Sequence, residues 1–151
     1  MLFRSPPFWN GIGHLDDLVL PEDDRNIIVT VHYYEPFWFT HQSAPWSKET
    51  VHLSGVSWGT EAEKKRVEDD LGRVQKWSLA QRRPILLGEF GAYDKGPLES
   101  RESYTAHVAC TAESLGWAWT YWQFDSDFIV YDIDRDHWVE PILKALIPGK
   151  E

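Results

Sequence analysis

Glu89 is the residue whose setting most invites chemistry. It stands in Pro84-Ile85-Leu86-Leu87-Gly88-Glu89-Phe90-Gly91, an acid within an otherwise apolar run and close to two glycines. Glycines there let backbone or ligand approach closely, and an acid in such a setting is a candidate for a perturbed proton affinity. The plainer alternative is an edge-exposed glutamate at a strand end. His32, taken alone, reads as a structural histidine, and Trp122 as a core indole. Trp38, Trp46 and Trp58 fall in a long loop, where core packing explains them less well. The six histidines show no ligand-type pairing, which argues against a metal centre. Asp125, Asp127, Asp132, Asp134 and Asp136 invite a calcium reading. They lack the glycine and closing glutamate of an EF-hand loop, so a solvated acidic loop is the simpler expectation. The single cysteine, Cys110, forbids an intrachain disulfide and any multi-cysteine metal site. Within a helical stretch it reads as an inert, partly buried thiol.

Three strands must position these side chains. Asn26-Ile27-Ile28-Val29-Thr30-Val31-His32 is β-branched and apolar at nearly consecutive positions, which suits a strand covered on both faces of a parallel sheet. Pro84–Phe90 is a second strand, opened by a proline that needs no ladder donor. Trp117–Gln123 is a third. Thr60 and Glu63 form a capping-box pattern ahead of Val67, Leu71, Val74 and Trp77 at helical spacing. A second helix spans Glu99–Leu115, with Tyr104, Val108, Thr111 and Leu115 on one side and Gly116 placed to end it. A last helix carrying Ile142, Leu143 and Leu146 begins near Pro141. Upstream, Phe8-Trp9 and Leu15–Leu20 are expected to add a strand and a short helix. The alternation of strands and helices, with crossovers long enough for parallel pairing, makes the chain α/β. In α/β barrels the C-terminal strand ends build the active site, and here those ends are His32-Tyr33-Tyr34, Gly88-Glu89-Phe90-Gly91 and Tyr121-Trp122-Gln123.

A length of 151 residues suits one domain, 1–151, or a piece of a larger one. The formal charge of −9, without a lysine- or arginine-rich stripe, excludes nucleic acid as a partner. No apolar run is long enough to span a membrane, and prolines at 6 and 7 interrupt the start, so no signal peptide is expected. Nine Trp, six Tyr and seven Phe are many for one domain. An excess of aromatics in loops points to flat stacking surfaces of the kind that fit sugars.

Val31-His32-Tyr33-Tyr34-Glu35-Pro36-Phe37, Phe39-Thr40-His41-Gln42, Gly88-Glu89-Phe90-Gly91 and Trp119-Thr120-Tyr121-Trp122-Gln123-Phe124 together resemble glycoside hydrolase family 5, especially its bacterial endo-β-1,4-glucanases. Trp138–Leu146 resembles the last helix of the same family. The resemblance implies that Glu89 is the nucleophile at the end of the seventh barrel strand. It implies that His32 and Tyr34 on the sixth strand contact substrate and position that carboxylate, and that Trp122 on the eighth stacks beneath the sugar beside the scissile bond. His41 and Trp46 correspond to loop positions lining the glucan cleft. The implied substrate is a β-glucan, no cofactor or metal is implied, and family members are commonly secreted, which leaves the compartment of this chain open.

The sequence departs from that family in one respect. The acid/base glutamate belongs to an Asn-Glu pair on the fourth strand, and neither Asn10-Gly11 nor Asn26-Ile27 supplies one. The arginine and histidine of the second and third strands have no counterpart either. Leu2 to Asn10 look like a shortened fifth strand. The expected architecture is therefore the C-terminal half of a (β/α)8 TIM barrel, about four βα units, completed by self-association into a homodimer or larger assembly because its edges are open. In a symmetric dimer a partner's carboxylate restores the second acid, at a spacing nearer the roughly 6.5–9.5 Å of inverting enzymes than the roughly 5–5.5 Å of retaining ones. The alternatives are a catalytically inactive glucan-binding protein and a self-associating fragment without further function.

Overall fold

The computed structural model describes residues 2–149. Four strands form one parallel sheet in sequential order: β1 (Leu2–Arg4), β2 (Ile27–Tyr33), β3 (Ile85–Phe90) and β4 (Ala118–Trp119). Two crossover helices join the last three, α3 (Glu61–Gln81) between β2 and β3 and α4 (Leu98–Ser114) between β3 and β4. Short helical turns, α1 (Pro7–Asn10) and α2 (Phe37–Thr40), follow β1 and β2. A two-stranded antiparallel ribbon, β5 (Tyr131–Asp132) with β6 (His137–Trp138), precedes the closing helix α5 (Glu140–Leu146).

Local chemistry sets the helix ends. The Thr60 hydroxyl accepts from the Glu63 amide at 3.3 Å while the Glu63 carboxylate accepts from the Thr60 amide at 2.8 Å, which satisfies two orphan donors at once. At the end of α4, Gly116 adopts φ +77°. Its amide donates to the Glu113 carbonyl at 2.9 Å and that of Trp117 to the Ala112 carbonyl at 3.0 Å, the two bonds of a Schellman stop.

The sheet has one packed face. Ile27, Val29, Val31 and Tyr33 of β2 are buried with Ile85, Leu87 and Phe90 of β3. They pack in one core with Val67, Leu71 and Val74 of α3 and Tyr104 and Val108 of α4. Ile28, Thr30, His32 and Leu86 turn the other way and none is fully buried. A strand covered on both faces was expected at 26–32. Among the described residues no layer lies over the second face, so the sequence pattern of a doubly covered strand meets an open one.

Other departures have equally plain causes. The third strand is Ala118–Trp119 rather than Trp117–Gln123. Its continuation still tracks β3 through Thr120 N–H to the Leu87 carbonyl and Trp122 N–H to that of Phe90, outside the regular ladder. Phe8-Trp9 lies in the α1 turn, and the upstream strand is Leu2–Arg4. Leu15 falls in a 3-10 segment, Ile12–Asp17. Trp58 is core after all: the loop folds back over α4, where the Trp58 amide donates to the Ser100 hydroxyl and its ring meets Tyr104 edge-on at 5.2 Å. Cys110 is exposed, because the buried stripe of α4 at Tyr104, Thr105, Val108 and Ala112 leaves position 110 on the solvent side. The acidic stretch 125–136 enters the β5–β6 ribbon, with the Tyr131 phenol on Asp136.

Candidate active site

The carboxylate of Glu89 reaches the open face through a break in strand register. Simple alternation along β3 would put residue 89 on the same side as Ile85 and Leu87, inside the core. The pairing instead runs Val31 to Leu87 and then His32 to Glu89, so Gly88 is the extra residue of a bulge. Beyond it, Phe90 takes the core side opposite Tyr33, and Glu89 shares a face with His32. Position 88 must lack a side chain, since a Cβ there would strike the Thr30 hydroxyl and crowd the His32 ring. Gly91 is constrained likewise, its missing Cβ facing the Trp122 carbonyl and the rings of Phe128 and Tyr121.

Two side chains approach the carboxylate. The Tyr34 phenol donates to Glu89 Oε2 at 3.0 Å, and His32 Nδ1 lies 3.2 Å from the same oxygen. The other oxygen, Oε1, is engaged by neither. His32 Nε2 is in turn 3.0 Å from the Asn10 side-chain amide nitrogen. Burial pulls His32 below the usual imidazole range, with the Glu89 charge opposing it, so the ring is neutral near pH 7. Burial, then the Glu89 charge and the hydrogen bond to it, push the Tyr34 phenol far above its ordinary value. Tyr34 therefore remains a donor at any working pH.

Glu89 lies in an open cleft of about 1180 Å³ whose walls mix aromatic rings with polar and charged side chains. His32, Tyr34, His41, Trp46 and Trp122 all line it, so every residue that the resemblance assigned to the site lies on one cleft. The pairing differs from one to the next. His32 and Tyr34 touch Glu89 directly, whereas Trp122 and Trp46 are rim indoles, 41% and 51% exposed. His41 is buried in an aromatic nest, stacked on Phe37 at 4.0 Å and edge-on to Tyr34 at 5.1 Å. Burial drives its pKa down to about 4. Trp38, also in the long loop, is 58% exposed and outside the cleft wall. No cluster of three potential metal ligands occurs among the described residues.

Asn10, Trp9 and Phe128 also line the cleft and were given no site role from sequence; Gln123, named there only as a strand end, lines it too. For Asn10 the available signal was slight: an Asn-Gly step after an aromatic, suited to a left-handed turn. Trp9 and Asn10 do both have positive φ, 59° and 60°, and Gly11 bridges to His32.

Parallel strands with a carboxylate and its neighbouring donors at their C-terminal ends, beneath an open cleft, define a (β/α) barrel-type fold with its candidate site where such folds carry theirs. The model of the cellulases, glycosyl hydrolase family 5, matches residues 3–128, and the chain belongs to that family. Cellulase/esterase CelE of Acetivibrio thermocellus is 32% identical over 109 residues, which cover 72% of this chain and 12% of that protein. A solved structure of Thermotoga maritima Cel5A with cellobiose superposes with a TM-score of 0.90 at 42% identity, covering 92% of this chain and 45% of that one. A hyperthermophilic endo-β-1,4-glucanase solved with substrate gives 0.92 at 37% identity, covering 98% and 48%. The chain thus spans just under half the length of these solved structures.

Proposed function

We propose that this chain carries the nucleophile half of an endoglucanase site acting on β-1,4-glucan by retaining hydrolysis. The observation that carries the reading is the Glu89 carboxylate, fixed through one oxygen by Tyr34 and His32 beneath a cleft walled by Trp46 and Trp122. In the proposed reaction Glu89 Oε1 attacks the anomeric carbon as the glycosidic C–O bond breaks and the leaving oxygen takes a proton. Water then hydrolyses the glycosyl ester on Glu89 and restores the carboxylate. Tyr34 and His32 orient the nucleophile and share its charge. Trp122 offers a ring face beneath the sugar at the scissile bond, and Trp46 and His41 line the cleft further out. The relatives solved with cellobiose and with mannotriose support a β-1,4-linked hexose chain as substrate.

The proton donor in this reading lies outside these 151 residues, because the chain contains no Asn-Glu pair. A complementary half-barrel docked on the open sheet face and the outer edges of β1 and β4 supplies it. A second copy of this chain has no Asn-Glu pair either and offers only a carboxylate such as its own Glu89, at a spacing nearer that of inverting enzymes; the mass in solution tests that variant of the reading, and a monomer by light scattering contradicts it. A second reading, glucan binding without hydrolysis, is favoured by the same missing acid beside two intact rim indoles.

Reducing-sugar release from carboxymethyl-cellulose, wild type against Glu89→Gln at equal concentration, separates the two. Release that vanishes in the variant supports hydrolysis. Equal background from both proteins, with retained binding to the polysaccharide, supports the binding reading.

A further inference from the structure

Hydrogen-bond bookkeeping around His32 singles out one more residue. His32 Nδ1 lies 3.2 Å from Glu89 Oε2, and since a carboxylate only accepts, that approach favours the proton on Nδ1. A neutral imidazole has one N–H, and Nε2 must then accept. The group facing Nε2 is the Asn10 amide nitrogen at 3.0 Å, which only donates. The Asn10 Nδ2–H bond to His32 Nε2, the 3.2 Å approach of His32 Nδ1 to Glu89 Oε2, and the Tyr34 O–H bond to the same oxygen are mutually consistent with that tautomer. The opposite amide orientation presents Oδ1 and demands a proton on Nε2. That leaves the Nδ1 lone pair facing a carboxylate lone pair, unless the ring becomes charged. Burial opposes the charged ring, and the Glu89 charge favours it less strongly.

We propose that Asn10 is a positioning residue that sets the tautomer of His32 and thereby aims Nδ1–H at Glu89. Asn10 does not touch the reacting atoms; it acts through the ring. It is well placed to do so, because the β-bridge between Gly11 and His32 ties its own backbone to the strand that carries the imidazole. This rests on Glu89 being the group that matters in the cleft, but its test needs no substrate and no turnover.

The test is nitrogen-15 NMR of the histidine rings in the full chain, in wild type, Asn10→Ala and Asn10→Asp, assigned with a His32→Gln control. The wild type is expected to show His32 protonated on Nδ1 and bare on Nε2. Asn10→Ala is expected to move the ring toward the Nε2-protonated form. Asn10→Asp, which puts an acceptor on Nε2, is expected to hold an imidazolium between two carboxylates and to raise the midpoint of His32 by at least about one pH unit. A wild-type ring protonated on Nε2 overturns the proposal. So does an Asn10→Ala ring that keeps the wild-type pattern, since Glu89 alone would then set the tautomer. If Asn10→Ala loses its native amide spectrum, the near-isosteric Asn10→Asp decides: a risen midpoint supports the proposal and an unmoved one overturns it. Failure of glucan hydrolysis with the expected tautomer counts against the endoglucanase reading alone.

Discussion

Tyr33 closes β2 and Tyr34 directly follows it, and the two do opposite work. Tyr33 is 1% exposed on the helix-covered face, where its hydroxyl donates to the buried Asp70 at 3.1 Å, between Arg66 and Arg73. Tyr34 is on the open face and donates to Glu89. The same phenol chemistry closes a structural network on one side and fixes the Glu89 carboxylate on the other. Side-chain alternation separates the two tasks by one residue, so stability and chemistry are separately accessible to mutation. Glu89 joins the open face only because Gly88 shifts the register of β3.

The comparison is broken most severely at Glu89 itself. Glu89→Gln is expected to lower hydrolysis on the order of 10⁴-fold or more, with the melting temperature close to wild type. Gly88→Ala attacks the register. Its Cβ meets the stiff Thr30 side chain, and we expect loss of activity together with a stability cost of about 1–3 kcal/mol by denaturant titration. Thr30→Ala in the same chain should recover part of both; no recovery would mean that the bulge is held by something else.

The tyrosine pair sharpens the contrast. Tyr33→Phe leaves Asp70 short of a donor in the core and should cost about 1–3 kcal/mol of stability while sparing turnover. Tyr34→Phe should reverse that pattern, with turnover reduced about 10–100-fold and stability within about 1 kcal/mol of wild type. Equal stability losses in both variants would contradict the division of faces. Trp122→Ala is expected to weaken glucan binding by about 10–100-fold, read by affinity electrophoresis.

The smallest effect concerns His41. Its folded pKa of about 4 lies below the unfolded value of 6.5, so the unfolded chain takes up the proton first as pH falls. Stability is full above pH 6.5 and declines between there and about 4, by at most about 1.4 kcal/mol per unit. His41→Phe, which keeps the stack on Phe37, should remove that slope from a pH series of chemical denaturation.

What was legible in the sequence is what local chemistry decides. Thr60 with Glu63 and Gly116 mark helix ends by bonds made within a few residues, and the structure has both. The cleft residues were reached through a resemblance rather than through spacing, which left Glu89, His32 and Trp122 each open to a plainer reading. Their convergence depends on register, and the bulge at Gly88 depends on Thr30 and His32, more than fifty residues away in the chain. Trp58 was misplaced because a loop's path back over α4 is fixed by a contact with Ser100 that no local pattern records. Asn10 went unnoticed for the same reason: its significance is the ring nitrogen opposite.

The most direct test of the central claim is to trap the nucleophile. An aryl or fluoride-activated 2-deoxy-2-fluoro-β-cellobioside needs little acid assistance to lose its leaving group, so it probes Glu89 without the second carboxyl group. Incubation followed by peptide mass spectrometry should show one fluoroglycosyl adduct, on Glu89, and none in Glu89→Gln. An adduct on another carboxylate, or no adduct while glucan is still hydrolysed, would contradict the assignment.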